Sequence, residues 1–172
     1  DYAYAVLAHE FQHMIHWNND LNETSWLNEG SSELAVLLNG YSTGGFDTLY
    51  ISNPDLQLND WPNDQNATSP HYGAGFLFMA YFLDRFGEEA TQLLVKDPAN
   101  GMDSVDAVLQ QVGATDSVTG QSITADDFFI DWALTNFLLD KSIADGRYIY
   151  NNYPAARRAS ASPYSPAAST SA

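Results

Sequence analysis

The chain has 172 residues, with 6 Lys plus Arg against 22 Asp plus Glu, so its net charge is 6 − 22 = −16; 45% of it is hydrophobic. That length and composition suit one domain with a real core and exclude global disorder, while the acidity excludes a basic nucleic-acid-binding face and disfavours anionic membrane surfaces. The absence of cysteine excludes disulfide frameworks, thiolate catalysis and Cys-ligated metal sites.

In chain order, residues 2–18 carry Val6, Leu7, Phe11, Met14 and Ile15 at helical spacing. The polar run 18–22 reads as a loop. A second helix is predicted over 26–39, with Ser25 as N-cap and Gly40 just past its end. Its apolar positions are Leu27, Leu34, Leu37 and Leu38. Residues 41–70 carry the turn signals Gly44-Gly45, Asn53-Pro54, Trp61-Pro62 and Ser69-Pro70. They predict a long irregular excursion with one short strand at 48–51, and loops this long are usually functional or externally supported. A very apolar helix over 72–86, closed by Gly87, is expected at the centre of the core. Short helices follow at 88–96 and 104–112, the first stopped by Asp97-Pro98. Thr124 is expected to cap a last helix over 125–141, whose buried side is Phe128, Phe129, Trp132, Leu134, Phe137 and Leu138. From Pro154 onward the chain is rich in Ala, Ser and Pro, a linker or disordered tail. The expected fold is mainly α, with five to six helices and one long irregular loop. No apolar run has the roughly 18 residues of a transmembrane helix, so no membrane insertion is expected. The start, Asp1-Tyr2-Ala3-Tyr4, lacks both an initiator Met and the basic region of a signal peptide. The chain therefore reads as processed or excised.

The sharpest chemical feature is His9-Glu10-Phe11-Gln12-His13, an H-E-x-x-H. Four residues advance a helix by about 40° beyond a full turn, so both imidazoles face one side, a turn apart, and can share a zinc ion. Glu10 projects beside them as a candidate general base. A catalytic zinc takes three protein ligands and keeps one position open. The metzincin continuation fails, because His16 stands at its Gly position and Asn19 at its last His position. The next helix offers Glu29 and Glu33 in Trp26-Leu27-Asn28-Glu29-Gly30-Ser31-Ser32-Glu33.

These residues resemble a gluzincin zinc metallopeptidase. The run Trp26–Gly30 is similar to the W-L-N-E-G of aminopeptidase-N-like enzymes, and the resemblance puts the third zinc ligand at Glu29. The Glu29/Glu33 pair resembles the N-E-x-x-x-D of thermolysin-like enzymes, which implies that Glu33 accepts the other ring N–H of His9. Fifteen residues, 14–28, separate His13 from Glu29. Familiar gluzincins have a longer connection, and spacing alone would nominate Glu33. The shorter loop is closest to the hyicolysin-type secreted neutral peptidases. Tyr72-Gly73-Ala74-Gly75 resembles the Y-x-x-G whose Tyr hydrogen-bonds the oxyanion, a neutral donor opposite the metal. His71 is a second donor or an exposed loop residue. His16 lies near the His9 face and lines the cleft or pairs with an acid.

The resemblance implies a secreted, zinc-dependent peptidase acting on peptide or protein substrates, with one catalytic zinc. Glu10 and Tyr72 are catalytic, His9, His13 and Glu29 bind the metal, and Glu33 supports it. Residues 1–150 would form the helical catalytic subdomain and 151–172 the tail. The sheet that precedes the H-E-x-x-H helix in zincins is missing from this chain, so further domains of a larger chain are expected. Endopeptidase is preferred to aminopeptidase. A catalytically inactive binding module and a zinc hydrolase acting on non-peptide bonds are the alternatives. The Asn/Asp loops at 18–22 and 59–66 have the oxygens that calcium takes, but neither has the EF-hand pattern, and both read as solvated loops.

Overall fold

A run of eight apolar or aromatic residues, Phe76 to Leu83, is buried on every side, and the rest of the chain is arranged around it. The computed structural model describes residues 1–160. Among these the fold is mainly helical: α1 (Tyr2–Asn19), α2 (Ser25–Leu38), α3 (Phe46–Ile51), α4 (Ser69–Leu94), α5 (Met102–Gln111) and α6 (Ala125–Leu138), with a 3-10 turn at Gln65–Ala67. The described residues contain no strand, only one antiparallel bridge between Thr115 and Ser122.

The central helix α4 packs against α2, α3 and α5. Pro70 stands in its first turn, where the missing N–H costs nothing. The stop expected at Gly87 is a kink, with φ 78° and ψ −178°, and the chain resumes helix directly. Only glycine takes that backbone without strain. The two expected helices therefore meet at a kink at Gly87. Thr124 caps α6 through a reciprocal capping box with Asp127. Phe128 packs on Phe78, Tyr81, Phe82 and Phe86, and Trp132 stacks on Tyr50.

Several expectations are corrected. The segment read as a strand at 48–51 is part of helix α3, because Asp47, Tyr50 and Ile51 are its buried positions while Leu49 faces out. Spacings of three and four select a helix, whereas a strand would alternate. The cap of α2 is Thr24 rather than Ser25, and Gly40 follows in the left-handed region with φ 77°. On α6, Phe129, Leu134 and Phe137 are exposed, leaving Phe128 and Trp132 to hold the core. The segment 151–160 does not leave the domain. Tyr153 packs edge-on against Phe76 and donates to Asp47 Oδ2 at 3.0 Å, Ala159 N–H reaches Asn136 O, and Ser160 N–H reaches Ile51 O. The remainder of the expected tail, 161–172, lies outside the described residues.

Helix α1 has an unusual arrangement of faces. His13 and His16 are its buried residues. Leu7, Phe11 and Met14, spaced i, i+4, i+7, are 62%, 58% and 62% exposed on the opposite side. The apolar periodicity that predicts the helix thus marks its outer face, and the histidines face the domain.

Candidate metal centre

Helix α1 brings His9 and His13 to its inner side, one turn apart, and α2 crosses them with Glu29 and Glu33. Each imidazole has its Nδ1 committed. His13 Nδ1 donates to Asn28 Oδ1 at 2.5 Å, with Ser32 Oγ 3.1 Å away. His9 Nδ1 stands 3.0 Å from Glu33 Oε1. These acceptors place the ring protons on Nδ1 and leave both Nε2 lone pairs free.

The two Nε2 atoms and Glu29 Oε2 converge. His9 Nε2 lies 3.0 Å from His13 Nε2 and 3.1 Å from Glu29 Oε2, and His13 Nε2 lies 3.3 Å from the same oxygen. A tetrahedral ion with bonds of about 2.0–2.1 Å separates its ligands by about 3.3 Å, so the three separations fit a zinc-sized centre. Glu29 Oε2 is buried and makes no hydrogen bond. Three acceptors that face one another repel, and a cation between them removes that repulsion. The donor set of two imidazoles and one carboxylate suits zinc.

The electrostatics agree. Burial opposes protonation of His9, but the Glu29 and Glu33 carboxylates outweigh it and lift its pKa to about 9. Burial likewise opposes ionisation of Glu29, yet the two imidazoles pull it down to about 2.

Glu10 is exposed and lines a cleft of about 950 Å³ together with His9, Glu33 and Tyr72. Tyr72, in the first turns of α4, rests between Phe46 and Trp61, with ring centroids 5.3 and 5.2 Å away, and lies 6.2 Å from the His9 ring. Burial and the nearby Glu29 carboxylate push its phenol up to about 12, which keeps it protonated as a neutral donor. His71 is buried, edge-on to Trp61 at 5.8 Å, and is not in the cleft wall.

Glycines set this crossing of helices. A Cβ on Gly30 would lie 2.6 Å from Gly75 O, one on Gly75 2.6 Å from Trp26 O, and one on Gly73 2.1 Å from Phe46 O. The backbones of α2 and α4 touch at Gly30 and Gly75. This contact carries Tyr72 to the edge of the cluster that Glu29 belongs to.

The structure thus gathers His9, Glu10, Glu33 and Tyr72 along one cleft, sets His13 and Glu29 against His9, and leaves His71 aside. Asn28 was missed as a site residue, although it stands inside Trp26–Gly30, directly before Glu29. Trp17, stacked on His13 at 5.7 Å, was also missed; its i+4 spacing from His13 was the available signal. The chain matches no family model and no curated protein.

Proposed function

We propose that the chain is the helical catalytic part of a zinc-dependent peptidase of gluzincin type, acting on peptide or protein substrates and secreted. The reading rests on one observation: His9 Nε2, His13 Nε2 and Glu29 Oε2 converge at 3.0–3.3 Å with every outer ring nitrogen already held. The resemblance to W-L-N-E-G and Y-x-x-G enzymes supports the reaction class.

His9, His13 and Glu29 would hold the metal, which when bound supplies a Lewis acid and lowers the pKa of water from about 15.7 toward 7. Glu10, at the cleft wall, takes the proton of the attacking water and passes it to the leaving amine. Tyr72 donates its phenolic proton in a hydrogen bond to the developing oxyanion. Glu33 and Asn28 fix the two imidazole rings, so the donor atoms need little rearrangement. The cleft of about 950 Å³ is of the size that takes several side chains of an extended peptide. Further domains of a larger chain would cover the exposed face of α1.

The test is zinc content measured beside casein hydrolysis, on wild type and Glu10→Gln. Wild type is expected to bind zinc and cleave. The variant is expected to keep its zinc and to lose at least about 100-fold in turnover. Undiminished cleavage by Glu10→Gln would overturn the mechanism. Bound zinc without any proteolysis would assign the chain to the non-peptidase alternatives.

A further inference from the structure

A second group of titratable side chains lies at the C-terminal end of α1, apart from the centre described above. His16 is 1% exposed, and neither of its ring nitrogens has a hydrogen-bond partner. Asp20 is 5% exposed, with Oδ2 unpartnered, and the buried Glu23 Oε2 is unpartnered as well. One donor atom from each of the three residues lies within 4.8 Å of the other two.

Each carboxylate is anchored by its other oxygen. Asp20 Oδ1 accepts the Asn22 N–H at 3.2 Å. Glu23 Oε1 accepts the Thr24 N–H at 2.5 Å, the Thr24 hydroxyl at 2.8 Å and the Gly101 N–H at 2.8 Å. The backbone thus fixes both carboxylates and leaves one oxygen of each free beside His16, the outer support that metal ligands require. Asn100 Oδ1, one residue before Gly101, is another buried oxygen without a partner.

Three residues that each bring an unpartnered buried atom to one place call for a specific occupant. A water could bridge them but would leave two adjacent carboxylates with their negative charge buried, a costly arrangement. A divalent cation neutralises both, and the negative end of the α1 dipole favours it further. Calcium takes only oxygen donors, whereas an imidazole with two carboxylates suits zinc and its first-row neighbours, among which zinc binds more tightly than manganese or iron.

We propose that His16, Asp20 and Glu23 form a second zinc site, structural in role. His16 and Asp20 are buried, as is the Glu23 Oε2 atom, and none of the three lines the cleft on which His9 opens. The ion ties the end of α1 to the 20–24 turn and, through Glu23 and Gly101, to the start of α5.

Metal analysis of the full chain after equilibration with zinc and gel filtration tests this. Wild type is expected to retain two equivalents. Asp20→Asn with Glu23→Gln should retain one, with casein cleavage present. His9→Ala with His13→Ala should also retain one and lose cleavage. If the first centre binds no metal, wild type would hold one equivalent that survives loss of His9 and His13 and disappears with Asp20→Asn/Glu23→Gln. One equivalent in wild type that is unchanged in Asp20→Asn/Glu23→Gln would overturn the second site. A measurement independent of any variant is the anomalous signal at the zinc edge in crystals of wild type. A peak among His16, Asp20 and Glu23 supports the site, and a peak only at His9, His13 and Glu29 overturns it. Retention of calcium in place of zinc at His16 would overturn the metal assignment.

Discussion

Glu29 and Glu33 show how two carboxylates one turn apart acquire different work. Glu29 turns Oε2 toward both Nε2 atoms, while Glu33 reaches the outer nitrogen of His9. In the proposed centre, removing an inner ligand would take away a bond to the ion. Removing the outer carboxylate only releases a ring, which typically weakens metal affinity by 10–100-fold. Glu29→Ala is therefore expected to abolish stoichiometric zinc binding. Glu33→Ala should keep it, with a Kd weaker by roughly 10–100-fold. Competition titration against a chromophoric chelator ranks the two, and the opposite order would exchange their roles.

At the scale of the helices, the site depends on the contact between α2 and α4. Gly30 and Gly75 let the backbones touch, and a Cβ at Gly75 would lie 2.6 Å from the Trp26 carbonyl. A backbone atom cannot yield as a flexible side chain does, so the helices must separate. Gly75→Ala is expected to destabilise the domain by about 1–3 kcal/mol in urea unfolding. It should also lower turnover, because α4 carries Tyr72. A Gly75→Ala protein with wild-type stability and activity would show that the close approach is dispensable.

For the whole molecule, the scarce bases matter more than the abundant acids. Arg147 reaches Asp116 Oδ2 at 2.5 Å, Asp131 Oδ2 at 2.9 Å and Asp145 Oδ1 at 2.7 Å, while Arg85 holds the same Asp131 oxygen at 2.7 Å. The guanidinium holds Asp116 and Asp145 well below the usual carboxylate range. Because the folded pKa is depressed, this stabilisation is present above the unfolded value of about 3.9. It fades as pH falls below that value. Arg147→Gln should have a lower Tm than wild type at pH 7, and the gap should narrow toward pH 2. A gap independent of pH would mean that Arg147 acts by packing. The exposed apolar face of α1 bears on the whole molecule as well. Contiguous surface of that kind normally meets a partner, so the isolated chain is expected to self-associate. Phe11→Lys with Met14→Lys should restore a monomer in analytical ultracentrifugation. Monodisperse wild type at tens of micromolar would remove the need for a covering partner.

What could be read from the sequence was local in chain order. His9 and His13 are one helical turn apart, as are Glu29 and Glu33, and that periodicity holds wherever the helix packs. The same holds for the Thr124 cap, the breaks at Gly87 and Gly113, and the apolar run of α4. Periodicity could not tell which side of α1 is buried, because an apolar stripe and a histidine stripe share its 3.6-residue period. Nor could it show that 48–51 is helical, since a short apolar run satisfies both periods and burial of Asp47 with Tyr50 decides between them. The proximity of His16, Asp20 and Glu23, and the anchoring of Glu23 by Gly101, arise where a helix end, a turn and a distant loop meet. Local repeats come from backbone geometry and so are written in the chain. The meeting of distant segments depends on how the core closes, which only the tertiary structure decides.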